Sequence, residues 1–264
     1  METANEATQD IFKLFSLSGR VALVTGAPQG LGYEIARGFA QAGARVYIAG
    51  RNEERTQNAV ARLKREGIDV AGVVFDINDT AAGDDVIDRI VCEEGSLDIL
   101  VNNAGIRDRV PIEDLSEPDF HHLLHANVTA PFTLSKRAAM HMVERRWGRI
   151  IMITSLASQR GLPTASGYAS SKAGLASLAR VFATAYGKHG VTCNSIAPGA
   201  METEYNASLF NDPNFRPWLL QRIPMGRLGQ PHEIAGAALF LASEAGAFVN
   251  GHELVMDGGQ AIAT

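Results

Sequence analysis

The sequence predicts an α/β fold: a single domain built on a doubly wound parallel sheet of seven strands, with helices on both faces. Three observations predict it. Short apolar runs alternate with longer amphipathic stretches along nearly the whole chain, the βαβα order that produces parallel neighbours. Most of the short runs are continuously apolar, as strands covered on both faces must be. The 264 residues are 46% hydrophobic and 20% charged, with no linker, repeat or second composition regime, which suits one large core.

The strand-like runs fall at 21–25, 45–49, 70–75, 97–102, 149–154, 191–196 and 252–256. Helical patterns lie between them at 31–42, 53–66, 84–94, 118–145 and 168–188, and Gly43, Gly67 and Gly190 close three of them. Residues 1–13 read as a polar N-terminal tail with no apolar signal core, and 14–264 as the single domain. No apolar run approaches the ~18 residues of a membrane span. The net charge of -5 and the absence of a Lys/Arg run argue against a nucleic-acid surface. Cys92 and Cys193 are far apart, in helical and strand segments. They read as two reduced structural thiols of a cytoplasmic protein.

In open α/β sheets, ligands bind outside the carboxyl ends of the strands. The chemically suggestive residues fall there. Gly26 follows the first strand, Arg51 the second and Asp76 the third. Asn103-Ala104-Gly105 follows the fourth, Ser155 the fifth and Pro198-Gly199 the sixth. Thr25-Gly26-Ala27-Pro28-Gln29-Gly30-Leu31-Gly32 joins the first strand to its helix. Its glycines permit close backbone approach to a pyrophosphate, which the free N–H groups of the helix N-terminus then bind. The spacing is a variant of G-x-G-x-x-G, and an ordinary glycine-rich turn is the alternative.

NAD sites usually place Asp or Glu at the end of the second strand. Here that end reads Ala49-Gly50-Arg51-Asn52, and Arg51 suits a 2′-phosphate, so NADP(H) is expected over NAD(H). Otherwise Arg51 is a solvated residue opening a helix, with Glu53 or Glu54 reaching the ribose. Asp76, in Phe75-Asp76-Ile77, could bond an adenine amino group or cap a helix. Asn102-Asn103-Ala104-Gly105 places small residues beside the ribose, or its asparagines tie strands together.

Tyr168 and Lys172 lie four apart, so they share one face of a helix. An ammonium favours the phenolate and should lower the Tyr168 pKa from ~10, which makes the pair a candidate acid/base catalyst. His121 and His125 have the spacing of a metal helix, but a third ligand and a water-activating Glu are missing. No metal is expected.

Taken together, Thr25-Gly26-x-x-x-Gly30-x-Gly32, Asn102-Asn103-Ala104-Gly105, Ser155, Tyr168-x-x-x-Lys172 and Pro198-Gly199 resemble the short-chain dehydrogenase/reductase family over about residues 14–259. The resemblance implies a Rossmann fold and a nicotinamide-dependent oxidoreductase, usually a homotetramer. It implies Tyr168 as acid/base, with Ser155, thirteen positions earlier, holding the substrate oxygen. Lys172 would bond the nicotinamide ribose. Asn127 would anchor a water of the proton relay, and Thr203 would contact the nicotinamide end. A nucleotide-binding regulator of the same fold would be expected to lack one of Ser155, Tyr168 and Lys172, and all three are present.

Within the family, the lead-in at 12–19, the stretch 103–111 and the C-terminal 248–259 are most similar to the branch acting on gluconate and 5-keto-gluconate. Arg107 and Arg109 could bind a substrate carboxylate bidentately, or Arg109 could pair with Asp108 or Glu113 in a solvated loop. Gln159 departs from that branch, which often has Glu there. The 3-oxoacyl carrier-protein reductases are the alternative. The segment 204–222 corresponds to the family's substrate loop. Tyr205, Asn206 and Trp218 are candidate pocket residues there, with core packing the expected alternative for Trp218.

Overall fold

Among the described residues, seven parallel strands form one sheet in the order β3-β2-β1-β4-β5-β6-β7. They are β1 (Val21–Thr25), β2 (Arg45–Gly50), β3 (Val70–Val74), β4 (Ile99–Asn102), β5 (Gly148–Ile153), β6 (Val191–Pro198) and β7 (Glu253–Met256). The protein is seen in a computed structural model that describes residues 10–162 and 164–263. Residues 1–9 of the expected tail lie outside the described residues, and a 3₁₀ turn spans Ile11–Phe15. No helix of the described residues is long and apolar enough to cross a membrane.

The helices are α1 (Gly30–Gln41), α2 (Glu53–Arg65), α3 (Thr80–Glu94), α4 (Glu117–Leu124), α5 (Ala130–Arg145), α6 (Ser166–Tyr186), α7 (Ala207–Phe210), α8 (Phe215–Leu220) and α9 (Ile234–Ala242). Successive strand residues point to opposite faces. Ala22 and Val24 meet α1, α2 and α9 through Ile35, Phe39, Leu63 and Ile234. Val21 and Leu23 face the opposite layer, where Ile87 of α3, Leu134 of α5 and Leu175 of α6 pack. Sequential strands progress outward in both directions from β1, so the order reverses between β1 and β4. That reversal opens the crevice where ligands bind in such sheets.

Three expectations are corrected. Helix α3 begins at Thr80 rather than 84, because Asp79 caps it by accepting from Ala82 N at 3.0 Å. The expected single helix at 118–145 is two helices separated by a π-helical turn at His125–Thr129. The turn holds Asn127, whose buried side chain bonds elsewhere in the fold. Such turns recur at functional sites. Cys92 is exposed rather than a structural thiol, whereas Cys193 is buried. The segment 204–222, expected as a substrate loop, contains α7 and α8. Phe210 of α7 and Leu219 of α8 join Ile223 and Leu228 in a small satellite core.

Candidate active site

The turn after β1 is shaped by steric necessity. Gly26 has φ +62°, and a Cβ there would stand 2.8 Å from Ala104 Cα. A Cβ on Gly32 would stand 2.5 Å from Asn103 Nδ2. Asn103 explains the crowding: its Nδ2 donates to the carbonyls of Thr25 and Gly26, both at 2.9 Å. The Thr25 hydroxyl accepts from the backbone N–H of Asn103 and Ala104, while Asn102 Nδ2 donates to Ser135 Oγ at 2.9 Å. The asparagines therefore tie β1, β4 and α5 together. No side chain caps the N-terminus of α1, where Gln29 is the exposed first residue before Gly30 and Leu31. A bare helix end behind glycines pressed against a neighbouring strand fits a dinucleotide pyrophosphate.

Arg51 is exposed at the end of β2 and makes no ion pair among the described residues. Asn52, not Arg51, caps α2. Asp76 is also not a cap: its Oδ1 accepts from Asn78 N at 2.8 Å and Asn78 Nδ2 at 2.9 Å, in a tight turn beside Ile77. Thr203 faces Gly30 across the crevice, 3.8 Å from the position a Cβ would take there. Gly199 is held to β7 by its N–H to Met256 O at 2.9 Å, just after Pro198 ends β6.

Tyr168 and Lys172 share one face of α6, with Nζ 5.7 Å from the phenol ring centroid. Lys172 is buried and donates to Ile153 O at 2.8 Å. Burial lowers its pKa from 10.5 to about 8. Tyr168 departs from expectation, since its pKa is raised rather than lowered. Desolvation in the crevice is the largest cause, and it outweighs the hydrogen bond from Ser155 and the positive charge of Arg107. Arg107 is a cation that opposes burial at the phenol, a role the sequence did not suggest for it. Its guanidinium lies 5.2 Å from the Tyr168 ring centroid. The Ser155 hydroxyl is oriented by accepting from Ala157 N at 3.1 Å.

Asn127 Oδ1 accepts from Ile106 N at 2.8 Å, and Nδ2 donates to Ile106 O at 2.8 Å and to Ser171 Oγ at 2.9 Å. Both amide hydrogens are taken by the protein, so a relay water there would have to donate to an oxygen. Gly105 lies against Asn127 and Lys172. Asp108 was not foreseen. Its carboxylate accepts from Gly167 N at 3.2 Å and Tyr168 N at 3.0 Å, capping the helix that presents Tyr168. The two partners are about sixty residues apart, so no local pattern could reveal this cap.

Asp108 therefore does not pair with Arg109, which instead donates to Asn206 Oδ1 at 3.3 Å. Gln159 Nε2 donates to Glu253 Oε2 at 2.8 Å. Among the described residues, Nε of Arg107 is buried without a hydrogen-bond partner. Tyr205 is exposed. Trp218 is 47% exposed rather than in the core, stacked on Phe215 with the Arg222 guanidinium 4.1 Å from its ring centroid. Leu219, the next residue of α8, takes the buried position in the satellite core, and Trp218 lies about 100° around the helix from it.

The family model described as Enoyl-(Acyl carrier protein) reductase matches residues 26–261. Gluconate 5-dehydrogenase of Gluconobacter oxydans is 42% identical over 93% of this chain and 96% of its own length. The 5-keto-D-gluconate 5-reductase of Escherichia coli K12 is 39% identical over 95% of this chain and 98% of its own. The crystal structure of a gluconate 5-dehydrogenase from Burkholderia cenocepacia, in complex with NADP and tartrate, superposes with a TM-score of 0.92 at 40% identity, covering 97% of this chain and all of that one. With that coverage, and with Ser155, Tyr168 and Lys172 brought together beyond the carboxyl end of β5 in a seven-stranded parallel sheet, the chain belongs to the short-chain dehydrogenase/reductase family.

Proposed function

We propose that the protein is an NADP(H)-dependent oxidoreductase that interconverts a ketone and a secondary alcohol on a sugar acid, with gluconate and 5-keto-gluconate as the substrate pair. One observation carries the reading: the Arg107 guanidinium, whose buried Nε has no hydrogen-bond partner among the described residues, lies 5.2 Å from the ring of Tyr168, the phenol that Ser155 also meets. A carboxylate bound by Arg107 would hold a carbonyl within reach of both hydroxyls. Three such relatives act on gluconate or its keto acid by name, and one of them holds NADP.

NADPH, when bound, supplies the hydride to the carbonyl carbon. Gly26, Gln29, Gly30, Leu31 and Gly32 hold its pyrophosphate, and Arg51 holds the 2′-phosphate. Asp76 and Ile77 bound the adenine, with Asn103, Ala104 and Gly105 beside the ribose. Pro198, Gly199 and Thr203 border the nicotinamide end. Ser155 and Tyr168 donate hydrogen bonds to the substrate oxygen, where negative charge develops. Burial keeps the Tyr168 phenol protonated at neutral pH, which is the form that can give a proton to a ketone oxygen. Lys172 bonds the ribose and is a cation up to about pH 8. Asn127 holds Ile106 and the Ser171 end of α6 in register, and a relay water would bond there.

Arg51→Ala should raise KM for NADP by roughly 10- to 100-fold, the value of a charge-assisted bond, and leave KM for NAD unchanged. Steady-state kinetics with both cofactors decide it, and an unaltered NADP preference would remove Arg51 from the site. The substrate reading is tested by NADPH oxidation with 5-keto-gluconate, neutral ketoses and an acetoacetyl thioester. Activity with the thioester alone would favour a 3-oxoacyl reductase. Arg107→Ala should cost about 10- to 100-fold in kcat/KM for the keto acid and little for a neutral ketose. Equal losses on both would assign Arg107 to Tyr168 alone. Tyr205, Gln159 and Arg109 border the same mouth as secondary candidates.

A homotetramer and a cytoplasmic location belong to the same proposal. The tetramer is supported by exposed Phe132 and Met140 on α5 and Val181 on α6, an apolar stripe that a partner helix pair could cover. The two free thiols support a reducing compartment.

A further inference from the structure

The turn that carries Ser155 is tied to the last strand by a carboxylate, Glu253, for which the sequence suggested no role. Glu253 opens β7 opposite Ser195 of β6 and is half-buried. Its Oε1 accepts from the Thr154 hydroxyl at 2.7 Å and the Ser158 hydroxyl at 3.0 Å, and its Oε2 accepts from Gln159 Nε2 at 2.8 Å. These three side chains bracket Ser155 on both sides. Each hydroxyl has a second acceptor in reach: Ile196 O at 3.0 Å for Thr154 and Ser155 O at 2.7 Å for Ser158. A hydroxyl has one proton to donate, and a charged acceptor makes the stronger bond. The carboxylate therefore competes for both protons and draws the two ends of the turn toward one point on β7.

We propose that Glu253 is a positioning residue for Ser155, acting through Thr154, Ser158 and Gln159 without touching the substrate. The identity of residue 159 follows from the same contact. A carboxylate at 159 would face Glu253 with like charge and could not donate to it. Gln159 donates an N–H instead, so the amide at 159 and the carboxylate at 253 form a matched pair.

The inference rests on the role proposed for Ser155, and its test separates the two. Glu253→Ala should lower kcat/KM for the ketone substrate about 10-fold, as a misplaced catalytic hydroxyl does, with NADPH Kd by fluorescence unchanged. In a Ser155→Ala background the same substitution should cost less than about twofold, because coupled residues are not additive. Gln159→Glu should lose activity, and the exchange Gln159→Glu/Glu253→Gln should restore most of it by rebuilding the amide–carboxylate pair. Wild-type kcat/KM in Glu253→Ala would overturn the inference. So would an equal cost in both backgrounds, or an exchange no better than Gln159→Glu alone. Should Glu253→Ala not fold, Gln159→Leu, at an exposed position, carries the same two-background comparison with an expected loss of about threefold. If Ser155→Ala itself keeps full activity, the role of Ser155 fails. If it abolishes activity while Glu253→Ala does not, only Glu253 is removed.

Discussion

Tyr168→Phe is expected to abolish nearly all turnover while leaving fold and cofactor affinity intact. The substitution deletes one oxygen from a side chain that lines the crevice. General acid catalysis contributes about 10²–10⁴-fold, and this phenol is the group held protonated beside the Ser155 hydroxyl. The lost hydrogen bond is worth about 1 kcal/mol, so Tm should shift by only a few degrees. NADPH Kd should be unchanged, because the residues proposed to hold the pyrophosphate and 2′-phosphate follow β1 and β2, away from Tyr168 on α6. Stopped-flow or steady-state NADPH oxidation, with fluorescence titration of the cofactor, measures both. A kcat within threefold of wild type would sink the proposed mechanism.

Lys172→Met should move activity and stability in opposite directions. Burial lowers the Lys172 pKa from 10.5 to about 8, a penalty of about 3 kcal/mol for keeping it charged. The sign follows from proton binding. Between about 8 and 10.5 the unfolded chain binds a proton at this residue that the folded protein does not, so stability rises with pH across that window. Below about 8 the penalty is fully present. Methionine removes it, but leaves Ile153 O without its 2.8 Å donor, at a cost of about 1–3 kcal/mol. The expected balance at pH 7 is a gain of about 1 kcal/mol, a Tm rise of about 2–4 °C, which fades and reverses by pH 10. Activity should fall by at least about 10²-fold. Thermal unfolding at pH 7 and pH 10, alongside turnover, checks both halves. A Tm several degrees below wild type at pH 7 would show that the hydrogen bond outweighs desolvation. In the wild-type enzyme, the same titration sets an alkaline limb near pH 8 in kcat/KM.

The strands and the residues at their carboxyl ends were legible because both are local in sequence. A buried parallel strand is a continuous apolar run, and the residue after it faces the crevice whatever the rest of the chain does. The reach of that reading ended at partners far apart. The helix at 118–145 reads as unbroken, since only the bonds from Asn127 to Ile106 and Ser171 make the π turn worthwhile. Trp218 reads as core because it is large and apolar, yet Leu219 takes the buried face of α8 and leaves Trp218 half exposed.

By itself the sequence determined the sheet, the glycine turn after β1 and the elements that carry Ser155, Tyr168 and Lys172, all of which depend on spacing within one or two elements. Only the tertiary structure decided which charge faces the phenol, what caps α6 and what holds the Ser155 turn. Arg107, Asp108 and Glu253 settle those points across separations of about sixty to a hundred residues. Burial and Coulomb forces depend on distance in space, and no periodicity in the chain records it.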